Sequence, residues 1–180
     1  MMERTRSRDF AFWMTTKIHD NAWRRRLDPP ERTLQMAGVG TGQQVLEIGC
    51  GTGYFTPAAG RLVGEAGHVY ALDLYPPAID RVKEKLAAQG VTNVTAMVGD
   101  AASTGLEAGS MDLVLLIGVI HRLPLDRVLP ELRRVLRPDG RLYARIHSSQ
   151  QGERIEASGL FVATNERGIY LVAREKGDEK

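Results

Sequence analysis

The sequence predicts an α/β domain with a mostly parallel sheet, helices on both faces and a terminal antiparallel hairpin. Three observations carry that prediction. From Gln44 onward, short apolar runs alternate with stretches of helical periodicity, the pattern of strands joined by crossover helices. One run, Val45-Leu-Glu-Ile48, ends in glycines at alternating positions, Gly49, Gly51 and Gly53, before a helix-compatible stretch. A later run, Leu113-Val-Leu-Leu-Ile117, is apolar at every position, as a central strand covered on both faces should be.

The elements follow in order. Phe10, Trp13, Met14 and Ile18 give residues 8–20 an apolar face at near-helical spacing. Two readings of this stretch stand: a helix packed on the domain, or a flap over a pocket. After Asp28-Pro-Pro30, a short helix is expected from Pro30 to Ala37, with Gly38 past its end. Residues 1–40 are thus read as an N-terminal helical cap or flap, and residues 41–180 as the main domain. The first strand is Gln44–Ile48, followed by a helix from about Tyr54 to Val63. Pro57 sits early enough in it for its missing amide hydrogen to cost little. The second strand is His68–Leu72. The next helix begins near Pro77, turns Ile79, Val82 and Leu86 inward, and closes at Gly90. The third strand is Val94–Val98 and the fourth Asp112–Gly118. A further helix is expected from Asp126 as N-cap, with Pro130 within or just after its first turn. Arg137-Pro-Asp-Gly140 is expected to end that helix before a fifth strand, Arg141–Ile146. A weak helical segment near Gly152–Ser158 leads to two strands, Leu160–Thr164 and Ile169–Arg174, which form a hairpin around Asn165-Glu-Arg-Gly168.

Composition narrows the function classes. The chain has 180 residues, 43% apolar and 26% charged, enough for one globular domain with a real core. The net charge of +2 gives no global field for nucleic acid or a membrane. Arginines crowd the first segment, read either as a solvated face or as a site for an anionic substrate or surface. The lone Cys50 rules out an internal disulfide and a multi-cysteine zinc site, and fits a reducing cytoplasm. No apolar core follows the basic start, so no signal peptide is expected, and no run of about 18 apolar residues is present to span a bilayer. A cytoplasmic location follows as an expectation.

In sheets of this kind ligands bind beyond the carboxyl ends of the strands. The residues at those places are Glu47 and the glycine turn, Asp73, Asp100, and Gly118 through His121. A carboxylate at Asp73 offers two acceptor oxygens to ribose hydroxyls; the competing role is a cap for the helix that follows. Asp100 could accept from a base amine, or serve only as a turn aspartate. A dinucleotide fingerprint needs its last glycine five positions after the first, where Tyr54 stands, so that class is disfavoured.

Val45-Leu-Glu-Ile-Gly-Cys-Gly-Thr-Gly53 resembles the first motif of the class I S-adenosylmethionine-dependent methyltransferases. Ala71-Leu-Asp-Leu74 is similar to their ribose-binding segment, and Val98-Gly-Asp-Ala101 to their adenine-contacting segment. Met111–Leu123 resembles their fourth strand and its mouth, and Arg134-Val-Leu-Arg-Pro-Asp-Gly140 their turn before strand five. The likeness spans residues 42–147 with five motifs in order. It implies a three-layer Rossmann-like methyltransferase fold, with a seven-stranded sheet containing one antiparallel strand. S-adenosylmethionine is the implied cofactor and S-adenosylhomocysteine its product. By position, Glu47 and the backbone of Gly49, Cys50 and Gly51 would lie along the methionine portion, within a turn closed by Gly53. Asp73 would hold the ribose, Leu74 would pack on the adenine, Asp100 with Ala101 would meet the adenine amine, and Gly118 would line the methyl group. Cys50 reads as a small residue beside the turn, not a nucleophile.

A sulfonium-activated methyl group needs only a positioned nucleophile and exclusion of water. Metal-assisted relatives place acids after strands four and five; here Gly118-Val-Ile-His121 and Ile146-His-Ser148 stand there, so no metal is expected. The same place lacks the Asn/Asp-Pro-Pro-aromatic motif of amide and adenine methylation. His121 is the candidate general base, set against a histidine with no catalytic task, and His19 and His147 are weaker candidates. The expected acceptor is a small molecule. RNA or protein as acceptor, and a non-catalytic binding module, stand as alternatives. A lone cysteine disfavours arsenic as acceptor.

Overall fold

The computed structural model describes residues 26–27, 29–146, 148–164 and 168–172. Residues 8–20 with their apolar face, as well as His19 and His147, lie outside them. The strands are β1 (Gln44–Ile48), β2 (His68–Asp73), β3 (Val94–Val98), β4 (Met111–Leu116), β5 (Leu136–Ala144), β6 (Phe161–Ala163) and β7 (Ile169–Val172). The helices are α1 (Pro30–Met36), α2 (Thr56–Val63), α3 (Pro76–Ala88), α4 (Leu125–Val135) and α5 (Ser149–Glu156), with a 3-10 turn at Ile120–Arg122.

One seven-stranded sheet runs in the order β3-β2-β1-β4-β5-β7-β6. The five strands from β3 to β5 pair in parallel, and β7 is antiparallel to both β5 and β6. The period of two along each strand sorts the core into two faces. Val45, Leu113 and Leu115 point to the face covered by α1 and α2, with Leu34, Ala37, Ala59 and Val63. Leu46, Ile48, Val114 and Leu116 point to the other face, against Val128, Leu129 and Leu132 of α4 and Ile155 of α5. Ile79, Val82 and Leu86 of α3 cover Ala71 of β2 on the first face. The expected three-layer Rossmann-like architecture is therefore present, and β4 is apolar throughout because both its faces are roofed.

Several boundaries differ from the sequence expectation, each for a local reason. α4 starts at Leu125 after Pro124, whose carbonyl accepts from Arg127 N and Val128 N at 3.0 Å each. Asp126 is thus a first-turn residue instead of the N-cap, well placed against the positive end of the helix. Pro130 lies inside α4, beyond its first turn, and cannot donate back to the Asp126 carbonyl. Both residues are exposed, so water can take that carbonyl. Arg137-Pro-Asp-Gly140 does not separate helix from strand; it is a bulge within β5. Met111 pairs with Leu136 and Leu113 with Arg141, so the whole turn stands opposite Asp112. Asp112 holds the bulge by an ion pair with Arg137 and also accepts from Gln44 N at 2.7 Å, fastening β1, β4 and β5 together. β4 stops at Leu116, short of Gly118, whose φ of +74° turns the chain out of the sheet. α2 begins at Thr56, after Tyr54 and Phe55, and α5 at Ser149, ahead of Gly152.

Candidate functional site

The strand order turns at β1, which has β2 on one side and β4 on the other, so the crevice for a ligand opens beyond their carboxyl ends. The glycine turn forms its floor. Gly49 N and Cys50 N both donate to Leu72 O, at 2.7 and 3.1 Å, folding the chain over the end of β2. Gly53 N closes the turn on Cys50 O at 2.9 Å. Gly49, Gly51 and Gly53 all have positive φ, +68°, +53° and +71°. At Gly49 a Cβ would stand 2.5 Å from Cγ2 of Val119, so the segment after β4 presses directly on the backbone there. At Gly51 the nearest atom to a Cβ would be Gly49 O at 4.0 Å. Among the described residues nothing fills the space above Gly51, so a ligand can approach its backbone.

Two acids brace this turn. Asp73 Oδ2 accepts from Gly51 N at 2.9 Å, and its Oδ1 from Tyr75 N at 3.0 Å. Tyr75, not Asp73, holds the N-cap position of α3, without a side-chain cap bond. Asp73 thereby ties the glycine turn to the chain entering α3, and each of its oxygens keeps a second lone-pair site. Glu47 is 3% exposed and shares the face of Val45, toward α2. Thr56, the first residue of α2, donates its Oγ1 to Glu47 Oε2 at 2.7 Å. Burial raises the Glu47 carboxyl strongly; the Thr56 hydrogen bond lowers it and the charge of Asp73 raises it, leaving it pushed up to about 7. The Cys50 thiol is pushed up by burial first, and then by Glu47 and Asp73. A thiol held in its protonated form is a poor nucleophile.

The remaining candidates lie past the ends of their strands, without hydrogen bonds to this cluster. Asp100 is exposed and closes its own turn: Oδ1 accepts from Ala102 N, and its backbone O from Ser103 N, both at 2.9 Å. Ala101 is buried in the core with Leu72 and Ile48. Leu74 is 68% exposed, a large apolar side chain standing beside Asp73. A Cβ at Gly118 would meet no atom of the described residues, its chain neighbours aside, within 4 Å. His121 is exposed in the 3-10 turn, and Arg122 Nε donates to its Nε2 at 3.2 Å, which assigns the ring's own proton to Nδ1. A cleft between α1 and α2, lined by Pro30, Tyr54 and Ala58, sits to one side of the turn; Arg61 and Glu31 on its wall pair with each other at 3.2 Å. Among the described residues, no group of three or more His, Cys, Asp or Glu side chains could hold a metal ion.

Sequence reasoning missed Thr56 and Val119. The signal for Thr56 was its position: a hydroxyl at the start of the helix after the glycine turn must look back at the strand before it. Val119 had no such signal, because nothing local says that the chain after β4 leans on Gly49.

Fold and site together define an α/β domain with a glycine turn at the reversal of the strand order of its sheet. The chain belongs to the methyltransferase domain family, whose sequence model matches residues 45–140 and so takes in the glycine turn, Asp73, Asp100 and the β5 bulge. It is 34% identical over 100 residues to a protein-L-isoaspartate O-methyltransferase of Ignicoccus hospitalis, covering 56% of this chain and 47% of that protein. It is 33% identical over 127 residues to a demethylmenaquinone methyltransferase of Lactococcus lactis, covering 70% of this chain and 48% of that protein. The chain thus spans about half the length of these curated relatives. Its fold matches the crystal structure of a SAM-dependent methyltransferase from Aquifex aeolicus with a TM-score of 0.75. That match covers 87% of this chain and 94% of the other at 24% identity, so the likeness is one of fold. The family implies S-adenosylmethionine as the cofactor.

Proposed function

We propose that this chain is a class I methyltransferase that transfers the methyl group of S-adenosylmethionine to a small-molecule acceptor by in-line displacement. The observation that carries this reading is the open backbone at Gly51, held by Asp73 at the turn of the strand order. A ligand with a ribose and a polar tail suits that arrangement, since Asp73 can accept from hydroxyls while the turn admits close approach. When bound, the cofactor supplies an electrophilic methyl on a sulfonium, so this chain's task is to position and to exclude water. In this reading Glu47 and the backbone of Gly49, Cys50 and Gly51 flank the methionine portion, within the turn that Gly53 closes. Asp73 takes the ribose hydroxyls. Leu74, Asp100 and Ala101 flank the adenine, and Gly118 stands near the methyl group. His121 is the proposed base for the acceptor. With its Nε2 engaged by Arg122, it must release that contact before that nitrogen can take a proton. The lone Cys50 supports a reducing, cytoplasmic setting as part of the same reading.

The small-molecule acceptor is supported by the Lactococcus lactis relative, named for a demethylated quinone. The Ignicoccus hospitalis relative, named for an isoaspartate in protein, favours a macromolecular acceptor as the second reading. Turnover against panels of quinones, phenols and isoaspartyl peptides separates the two. Calorimetric titration with S-adenosylmethionine tests the site. Asp73→Ala should weaken binding by about tenfold or more, the worth of one charge-assisted hydrogen bond. Equal affinity in the variant would refute the ribose contact.

A further inference from the structure

Of the residues Gly49–Gly53, Thr52 is the one whose N–H donates to no described residue. Gly49 and Cys50 donate to Leu72 O, Gly51 to Asp73 Oδ2 and Gly53 to Cys50 O. The Thr52 hydroxyl likewise has no partner among the described residues, yet Thr52 is only 5% exposed. Buried polar groups are ordinarily paired, so this residue calls for an explanation. Its buried polar neighbours in the fold do not share its state. Glu47 and Thr56 bond to each other, and Thr104 bonds to Glu131. Thr33 Oγ1, on α1, is sealed from solvent without a partner. Thr52 instead adjoins Gly51, above which nothing among the described residues fills the space.

The chemistry of the missing partner follows from the groups present. An N–H and an O–H on one residue form a pair of donors suited to an anionic oxygen group. Thr52 lies outside the left-handed region that its glycine neighbours occupy, and its branched Cβ restricts χ1, so the hydroxyl has few positions open to it before a ligand arrives. No Lys, Arg or His occurs from Gln44 to Gly60, so a carboxylate placed at this turn must be received by neutral donors. Glu47 and Asp73 cannot serve, because an ionised carboxylate only accepts.

We propose that Thr52 is the carboxylate-recognising residue of the cofactor site, its N–H and hydroxyl both donating to the α-carboxylate of the methyl donor. This rests on the assignment of S-adenosylmethionine to the glycine turn made above. The acids of the site then accept from the N–H and O–H groups of the ligand, and Thr52 donates to its anionic end. Donor and product carry the same tail, so the contact holds both and selects against adenosine ligands that lack the carboxylate.

Decarboxylated S-adenosylmethionine keeps the adenosine, the sulfonium and the amino group and lacks only the carboxylate. In calorimetric titration of the unsubstituted chain it should bind about tenfold more weakly than S-adenosylmethionine, or weaker still. Thr52→Val keeps the branching and removes the hydroxyl. It should weaken S-adenosylmethionine by about tenfold and leave the decarboxylated ligand within about twofold. Thr52→Ser, which restores the hydroxyl, should recover most of the lost affinity. An equal loss for both ligands in Thr52→Val, or no loss for either, overturns the proposal while leaving the cofactor assignment intact. Equal affinity of the unsubstituted chain for the two ligands overturns it as well, and that comparison needs no variant to fold. Failure of the unsubstituted chain to bind either ligand overturns the cofactor assignment, and this proposal with it.

Discussion

Gly49 and Val119 determine each other. The isopropyl group of Val119 occupies the volume in which any other residue at 49 would place its Cβ, and the positive φ at 49 disfavours a side chain independently. Gly49→Ala should therefore lose about 3 kcal/mol of stability, combining left-handed strain with overpacking. Adding Val119→Ala should recover only part of that loss, because it removes the 2.5 Å contact with Cγ2 but keeps the Val119 Cβ at 2.9 Å and leaves the backbone strain. Urea denaturation of the two single variants and the double variant measures the coupling; simple additivity would mean that the contact is unimportant. The glycines were legible in the sequence as a turn needing unusual backbone. Which of them the packing itself demands was not, since that depends on Val119 arriving from a different strand. The same holds for Glu47 and Thr56, whose contact exists only once α2 lies across β1.

At the scale of elements, loops are fastened by side chains that the local sequence does not identify. The connection from β3 to β4 is clipped to α4 by Glu131. Its Oε1 accepts from Thr104 N and Thr104 Oγ1 at 2.8 and 2.7 Å, and its Oε2 from Arg134 Nε at 2.7 Å. Arg134 in turn reaches Leu106 O at 2.7 Å. The Arg134 hydrogen bond, with those of Thr104, pulls the Glu131 carboxyl down to about 2 against the opposing effect of burial. A depressed acid stabilises the fold above its ordinary titration range and loses that contribution as the pH falls toward 2. Glu131→Gln should cost about 1–2 kcal/mol at neutral pH, and its thermal midpoint should converge on that of the unsubstituted protein in acid; a constant gap across that range would contradict the assignment. The β5 bulge teaches the same lesson. Arg137-Pro-Asp-Gly140 carries every local signal of a chain break, yet Asp112, 25 residues earlier, keeps it within the strand. α4 likewise tolerates Pro130 because the orphaned carbonyl lies on its wet side.

For the whole molecule, the layered architecture, a mostly parallel sheet with a terminal hairpin, was more legible than the edges of its elements. Alternating strand and helix patterns with short connections leave few topologies open, and the uniformly apolar Leu113–Leu116 could only be central. The site inherits its position from that topology: β1 lies between β2 and β4, and the glycine turn and Asp73 meet there without any long insertion. Residues that act at this place but lie far apart in sequence, Val119 and Thr56 among them, become visible only in the packed structure.

The central claim is that the open backbone above Gly51 is the seat of S-adenosylmethionine. Gly51→Asn tests it most directly. Asparagine tolerates the left-handed conformation at 51 and, its chain neighbours aside, meets no atom of the described residues closer than 4.0 Å at its Cβ, but it fills the space assigned to the ligand. The measurement is calorimetric binding of S-adenosylmethionine to the unsubstituted chain and to this variant, with thermal midpoints recorded alongside. The predicted result is binding of about one ligand per chain, weakened by roughly a hundredfold in Gly51→Asn, about 3 kcal/mol, with the midpoint of the free protein nearly unchanged. Undiminished affinity in a folded Gly51→Asn variant would contradict it.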